Sequence, residues 1–141
     1  MSNILPVFVD TGPWIALVDP RDQWHRQAQT VLAQLQASRQ PLVTSNLILM
    51  ETYTGLVGRV ERSVIARFRE TLHASRQISI QRVDALTEEL AWELFLRYDD
   101  KRVSMVDCAS FATMEQLGIQ VAFAFDRHFV QVGFETLPRL K

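Results

Sequence analysis

Four carboxylates interrupt stretches of this 141-residue chain that are otherwise apolar. Asp10 closes "LPVFVD", Glu51 sits inside "NLILMETYTGL", Asp107 inside "SMVDCASFA", and Asp126 follows "VAFAF". A charge in such surroundings needs a partner or a route to water. Four carboxylates brought into one crevice repel one another unless a cation neutralises them, and the hard cation suited to oxygen ligands is magnesium or manganese. Mg²⁺ keeps several waters and usually takes one or two protein carboxylates directly, so further acids hold its waters and a substrate phosphate fills another position. The chemistry of such a cage is phosphodiester hydrolysis with water as the nucleophile.

Each acid also has a local explanation. Asp10 stands where the cap of a helix begun at Thr11 to Pro13 belongs. Ser104 and Asp107 have capping-box spacing, which does not exclude a metal role. Glu51 is either turned to water on its helix or paired, and Asp126, ahead of Arg127 and His128, suits a turn. The convergent reading therefore depends on whether the fold brings the four together.

"ILPVFV" reads as a strand buried on both faces, with Pro13 in the first turn of a following helix. "QWHRQAQTVLAQLQASRQ" places Trp24, Ala28, Val31, Leu32 and Leu35 on one helical face, and Pro41 stops it before the strand "PLVTS". Ser45 and Asn46 cap the helix "NLILMETYTGLVG", and "SVIARFRETLHASR" makes the next through Val64, Ile65, Phe68 and Leu72. The strand "ISIQRVD" follows, then a helix through Leu86, Leu90, Leu94, Phe95 and Tyr98. "SMVDCASFATMEQLG" is a helix ended by Gly118, "IQVAFAF" a strand, and "ETLPRL" a short edge strand where proline is tolerated. This alternation predicts an α/β domain with a parallel sheet of four to five strands between helices. Asp10 and Asp126, both at strand ends, then face the crevice where open parallel sheets bind ligands.

In this order and spacing, "VFVDTGPWIAL", "NLILMETYTGL", "SMVDCASFATMEQLGI" and "AFAFDRHF" resemble PIN-domain proteins over essentially the whole chain. The length is similar to that of the VapC-type toxins of bacterial and archaeal toxin–antitoxin pairs. The resemblance implies a single PIN domain over residues 1–141 and Mg²⁺- or Mn²⁺-dependent cleavage of RNA to 5′-phosphate and 3′-hydroxyl products. It also implies a homodimer and an antitoxin protein that covers the site. It carries the family's acidic positions to Asp10, Glu51, Asp107 and Asp126, and its hydroxyl-bearing neighbours to Thr11 and Ser104. Ala124 departs from the pattern, since many relatives carry Thr or Ser there and a supporting hydrogen bond would be absent. The alternative is a PIN fold kept as a binding or assembly module with little or no nuclease activity.

Other chemistries find less support. His25, His73 and His128 lack the spacing of a helical zinc site; His128, beside Asp126, is placed to touch phosphate. Cys108 is alone, which excludes an internal disulfide and fits a reducing compartment, and a structural thiol is expected there. "DTG" also occurs in aspartyl proteases, but those need an all-β architecture. "VDTGP" lacks the second aspartate of a haloacid-dehalogenase-type phosphatase. Fifteen Lys and Arg against 16 Asp and Glu exclude a global basic field, so a polyanion must be held by a local patch or a metal. Arg21, Arg26, Arg59, Arg62, Lys101, Arg102 and Arg127 are candidates for phosphate contacts, whereas Trp14 and Trp24 suit the core or a partner contact. With no secretory pattern at the N-terminus and no apolar run of roughly 18 residues, a cytoplasmic, membrane-free protein is expected.

Overall fold

In the computed structural model, which describes residues 4–140, the chain forms one five-stranded sheet with helices on both faces. The strands are β1 (Val7–Val9), β2 (Leu42–Ser45), β3 (Ile78–Gln81), β4 (Val121–Phe123) and β5 (Glu135–Leu137). Between them run α1 (Thr11–Val18), α2 (His25–Ala37), α3 (Asn46–Leu56), α4 (Arg62–Ala74), α5 (Ala85–Arg97), α6 (Met105–Leu117) and α7 (His128–Gln131). Every pairing is parallel, in the order β3-β2-β1-β4-β5. The chain leaves β1 to build β2 and β3 on one side and returns to build β4 and β5 on the other. The switch point therefore lies between β1 and β4, where such sheets open their ligand crevice.

The core follows from the apolar strands and one buried helix. Val7, Phe8 and Val9 are at most 1% exposed, as strands covered on both faces must be. α6 is buried continuously from Cys108 to Met114, and Gly118, at φ 68°, ends it in the left-handed conformation that suits glycine. Phe111 meets Phe129 edge to face, with ring centroids 5.2 Å apart. That contact roots α7, a four-residue helix the sequence reading did not anticipate, because one apolar anchor is too little to give a helical period.

Strand ends recede from the sequence reading: Ile4 to Pro6, Arg82 to Asp84, Ile119, Gln120, Ala124 and Phe125 lie outside the ladder. Two helix faces also differ. Trp24 is 41% exposed at the N-cap of α2, where its ring stacks on Phe125 instead of joining Ala28, Val31 and Leu35 inside. α5 turns Thr87, Ala91 and Leu94 inward, leaving Leu86 64% exposed.

Candidate metal centre

Asp10 follows β1, and its backbone N–H donates to the Phe123 carbonyl at 3.0 Å, which fastens it to the end of β4. Its side chain occupies the N-cap position of α1 without making a capping hydrogen bond, so capping does not account for it. It is also buried, 6% exposed. Burial pushes its carboxyl well above the ordinary carboxylate range, and the charges of Asp126, Asp107 and Glu51 push the same way against the Thr11 backbone N–H. The three charges felt by Asp10 are the other three acids of the sequence reading. The four share one electrostatic neighbourhood, with Asp10 buried and Glu51 and Asp126 exposed.

Glu51 reaches this group along a seam between α1 and α3. Thr11 Oγ1 donates to Glu51 Oε1 at 2.9 Å. One helical turn along each helix, Gly55 faces Ile15 so closely that a Cβ at Gly55 would lie 2.7 Å from Ile15 Cδ1. Past the helix ends, Arg59 Nη1 lies 3.5 Å from Asp19 and 3.1 Å from Asp22. The Arg59 carbonyl accepts from Arg21 at 2.6 Å. Residues 11 and 15 thus meet 51 and 55 at the four-residue step of a helix face, and the contact continues beyond both helices at Asp19, the C-cap of α1, and Arg59, three residues after α3. Trp14, also on α1, is buried and donates to Thr44 Oγ1 at 3.3 Å, which fixes the helix over β2.

The other two acids are held by polar contacts. Ser104 and Asp107 form a complete capping box: Ser104 Oγ accepts from the Asp107 N–H at 3.0 Å and Asp107 Oδ2 from the Ser104 N–H at 2.9 Å. Burial raises the Asp107 pKa; the Ser104 backbone N–H and His128 oppose this, and Asp126 adds to it. Asp126 closes a turn by accepting the His128 N–H on Oδ1 at 3.0 Å. His128 Nδ1 lies 3.0 Å from Asp107 Oδ2 and 3.4 Å from Asp126 Oδ1, yet neither approach has hydrogen-bonding geometry and the nitrogen is shut off from water. Asp107, Asp126 and His128 each present a donor atom within 4.8 Å of the others.

The donor set fits a divalent cation. A buried aspartate that feels three other carboxylates, and an unsatisfied imidazole nitrogen between Asp107 and Asp126, are both relieved by a positive charge nearby. Oxygen donors dominate, which suits Mg²⁺, and an imidazole is a ligand that Mn²⁺ accepts more readily.

The PIN domain family model matches residues 7–135, which includes all four acids. The chain belongs to the PIN-domain family. This PIN domain is 41% identical over 130 residues to the 23S rRNA-specific endonuclease VapC20 of Mycobacterium tuberculosis, covering 91% of this chain and 95% of that protein. The crystal structure of VapC20, described as a toxin that cleaves the sarcin–ricin loop, superposes with a TM-score of 0.79 at 38% identity, over 91% of this chain and 95% of that one. A Klebsiella pneumoniae toxin–antitoxin complex shares the fold, with a TM-score of 0.65 at 19% identity over 86% and 87% of the two chains.

Among the sequence candidates, Arg21 and Arg59 are engaged by Asp19 and Asp22, and Lys101 by its neighbour Asp100. These pairings tie Arg21 and Arg59 to the end of α1. Arg127 is exposed beside Asp126. Cys108 is buried, and burial, helped by the charge of Asp107, pushes its thiol up to about 11, an inert group as expected. The sequence reading passed over Asp19, 4% exposed, and Gly55; their spacing from Thr11 and Glu51 was the available signal.

Proposed function

We propose that this PIN-domain protein is a divalent-metal-dependent endoribonuclease and the toxin of a toxin–antitoxin pair. The observation that carries the reading is the buried Asp10 carboxyl surrounded by Asp126, Asp107 and Glu51. The likeness to VapC20 over nearly the full length of both chains supports RNA as the substrate class, with a structured loop of ribosomal RNA as the first candidate.

Asp10, Asp107 and Asp126 would hold Mg²⁺ or Mn²⁺ directly or through water. The bound ion would supply a Lewis acid for the phosphate and a water of lowered pKa. Glu51 completes the cage: its Oε1 accepts from Thr11, which leaves the other oxygen to orient the attacking water. The capping box keeps one Asp107 oxygen on the Ser104 N–H and so fixes the direction of the carboxylate. His128 crowds both Asp107 and Asp126 and sets the spacing between them. Arg127, exposed next to Asp126, would meet a non-bridging phosphate oxygen.

An antitoxin protein would hold the toxin inactive by covering the crevice, and a homodimer would bury exposed apolar positions such as Trp92 and Leu96 on α5. No helix among the described residues is long and apolar enough to cross a membrane. The test is cleavage of a ribosomal RNA fragment by the purified protein. Cutting is expected with Mg²⁺ or Mn²⁺ and its loss in EDTA; cleavage indifferent to EDTA would overturn the reading.

A further inference from the structure

With a net charge of −1, the chain must gather cations locally to hold a polyanion. Such a gathering lies between α3 and α4, away from the acids. Two adjoining hollows of about 360 and 220 Å³ share Tyr53 and Arg69. Arg62 stands at one end, Arg69 where they meet, and His73 and Arg82 at the other; no carboxylate lines either hollow. The three arginines and His73 are exposed, and among the described residues none of them lies within 4.0 Å of an acid. Arg59 and Arg21, by contrast, are bound to Asp19 and Asp22.

Arg62, Arg69 and His73 are seven and four residues apart on α4, so they share one face over roughly 16 Å, at ~1.5 Å per residue. The groove also leads to the acids. Met50 and Thr54, which line it on one side of α3, line on the other the hollow over Thr11 and Glu51. Met50 is 59% exposed, so the crossing is open.

We infer that this groove is the track for the sugar–phosphate backbone on one side of the cut, with Arg62, Arg69 and Arg82 on the phosphates and His73 beside them. Guanidinium forks are the groups that grip phosphate oxygens; such contacts fix the register of a strand without reading its bases. An acidic peptide would satisfy the same cations, but the groove continues onto a carboxylate cluster where the peptide gains nothing and a strand to be cut must arrive. The inference deepens the ribonuclease reading proposed above and rests on it for the direction of the strand.

The probe is a fluorescent 20-nucleotide single-stranded RNA, with a poly-glutamate peptide of equal length as the competing occupant. Binding is measured on Asp107→Asn protein, with and without Arg62→Gln, Arg69→Gln and Arg82→Gln together; cleavage is measured on the wild type and on the same triple variant. Three lost phosphate contacts should weaken RNA binding at least about 10-fold and lower the slope of log affinity against log salt by about 2. KM should rise by about 10-fold with kcat moving less than about 3-fold. Because the three arginines are exposed, the triple variant should melt like the wild type, and Arg69→Gln alone should give a proportionate share of the slope change. Unchanged RNA affinity and salt slope would overturn the inference while leaving metal-dependent cleavage intact. Loss of peptide binding with RNA binding untouched would overturn it in favour of a protein-docking face. A wild type that binds RNA through the groove but never cuts would uphold the groove and sink the nuclease reading.

Discussion

The two halves of the acid site are built from different materials. Asp10 and Glu51 are set by the α1–α3 seam, where helix packing at Gly55 and Ile15 and an ion cluster at Arg59 hold the helices together. Asp107 and Asp126 are set by a corner of short-range polar contacts, a capping box and a turn, with α7 rooted by Phe129. A packed seam transmits a disturbance along two helices, because neighbouring side chains interdigitate. A capping box is local, and losing it affects little beyond the first turn. The same catalytic group is therefore exposed to distant substitutions on one side and tolerant of them on the other.

The largest expected effect removes a charge from the packed half. Asp10→Asn should lower metal-dependent cleavage by roughly 10³-fold, the scale of losing one preorganised charge-stabilising group. It should also raise the stability of the metal-free protein, since burial and three like charges disfavour the ionised carboxyl. Cleavage rates in Mn²⁺ and thermal melts in EDTA read both. On the polar half, Asp107→Asn should lose at least about 10²-fold in cleavage with stability nearly unchanged, because an amide oxygen still accepts the Ser104 N–H. Ser104→Ala should cost about 1 kcal/mol of stability and less than about 10-fold in rate. A destabilised but fully active Asp107→Asn would reduce Asp107 to a cap.

Smaller effects probe the difference between the halves directly. Arg59→Ala leaves the buried Asp19 with only the more distant, exposed Arg21 guanidinium and should cost about 1–3 kcal/mol, tempered by the half-exposure of Arg59. Released from the seam, Glu51 should bind its share of the metal more weakly, so calorimetric Mn²⁺ affinity should fall about 3- to 10-fold while the capping box is unaffected. Equal affinity in the two proteins would show that the seam does not position Glu51. The least effect is on pH. Asp10 and Asp107 have folded pKa values above the ordinary 3.8, so the folded, metal-free chain binds more protons than the unfolded chain once pH exceeds that value. The stability they contribute is full below 3.8 and lost as pH rises through the raised values. Melting temperature in EDTA should therefore fall across that range, with a shallower fall in Asp10→Asn.

Much of this arrangement was legible in the chain because it rests on strong apolar periods. β1 and β4 are short apolar runs, β1 followed directly by Asp10 and β4 three residues on by Asp126, and a parallel sheet sends such residues to one crevice. The capping box could be read letter by letter, and the structure adds that Asp107 serves it while facing Asp10 and Asp126. Hidden were features that depend on what two distant segments do together. Nothing local marks Gly55 as the contact point of α1 and α3, or Asp19 as a buried partner for Arg59. Trp24 looked like a core residue because its spacing continues the apolar face of α2, but its place at the N-cap sends the ring to Phe125. Tertiary contact overrode periodicity there.

The central claim is that four carboxylates converge because a divalent cation belongs among them, and a paired melting measurement tests it. Wild-type and Asp10→Asn proteins are melted in EDTA and in Mn²⁺ at about 100 times the dissociation constant, a condition worth roughly 2.7 kcal/mol to a protein that binds the ion only when folded. The account predicts that the wild type melts lower than the variant in EDTA and higher in Mn²⁺, so that the order of the two reverses. A wild type unmoved by Mn²⁺, or an Asp10→Asn protein less stable in EDTA, would contradict it.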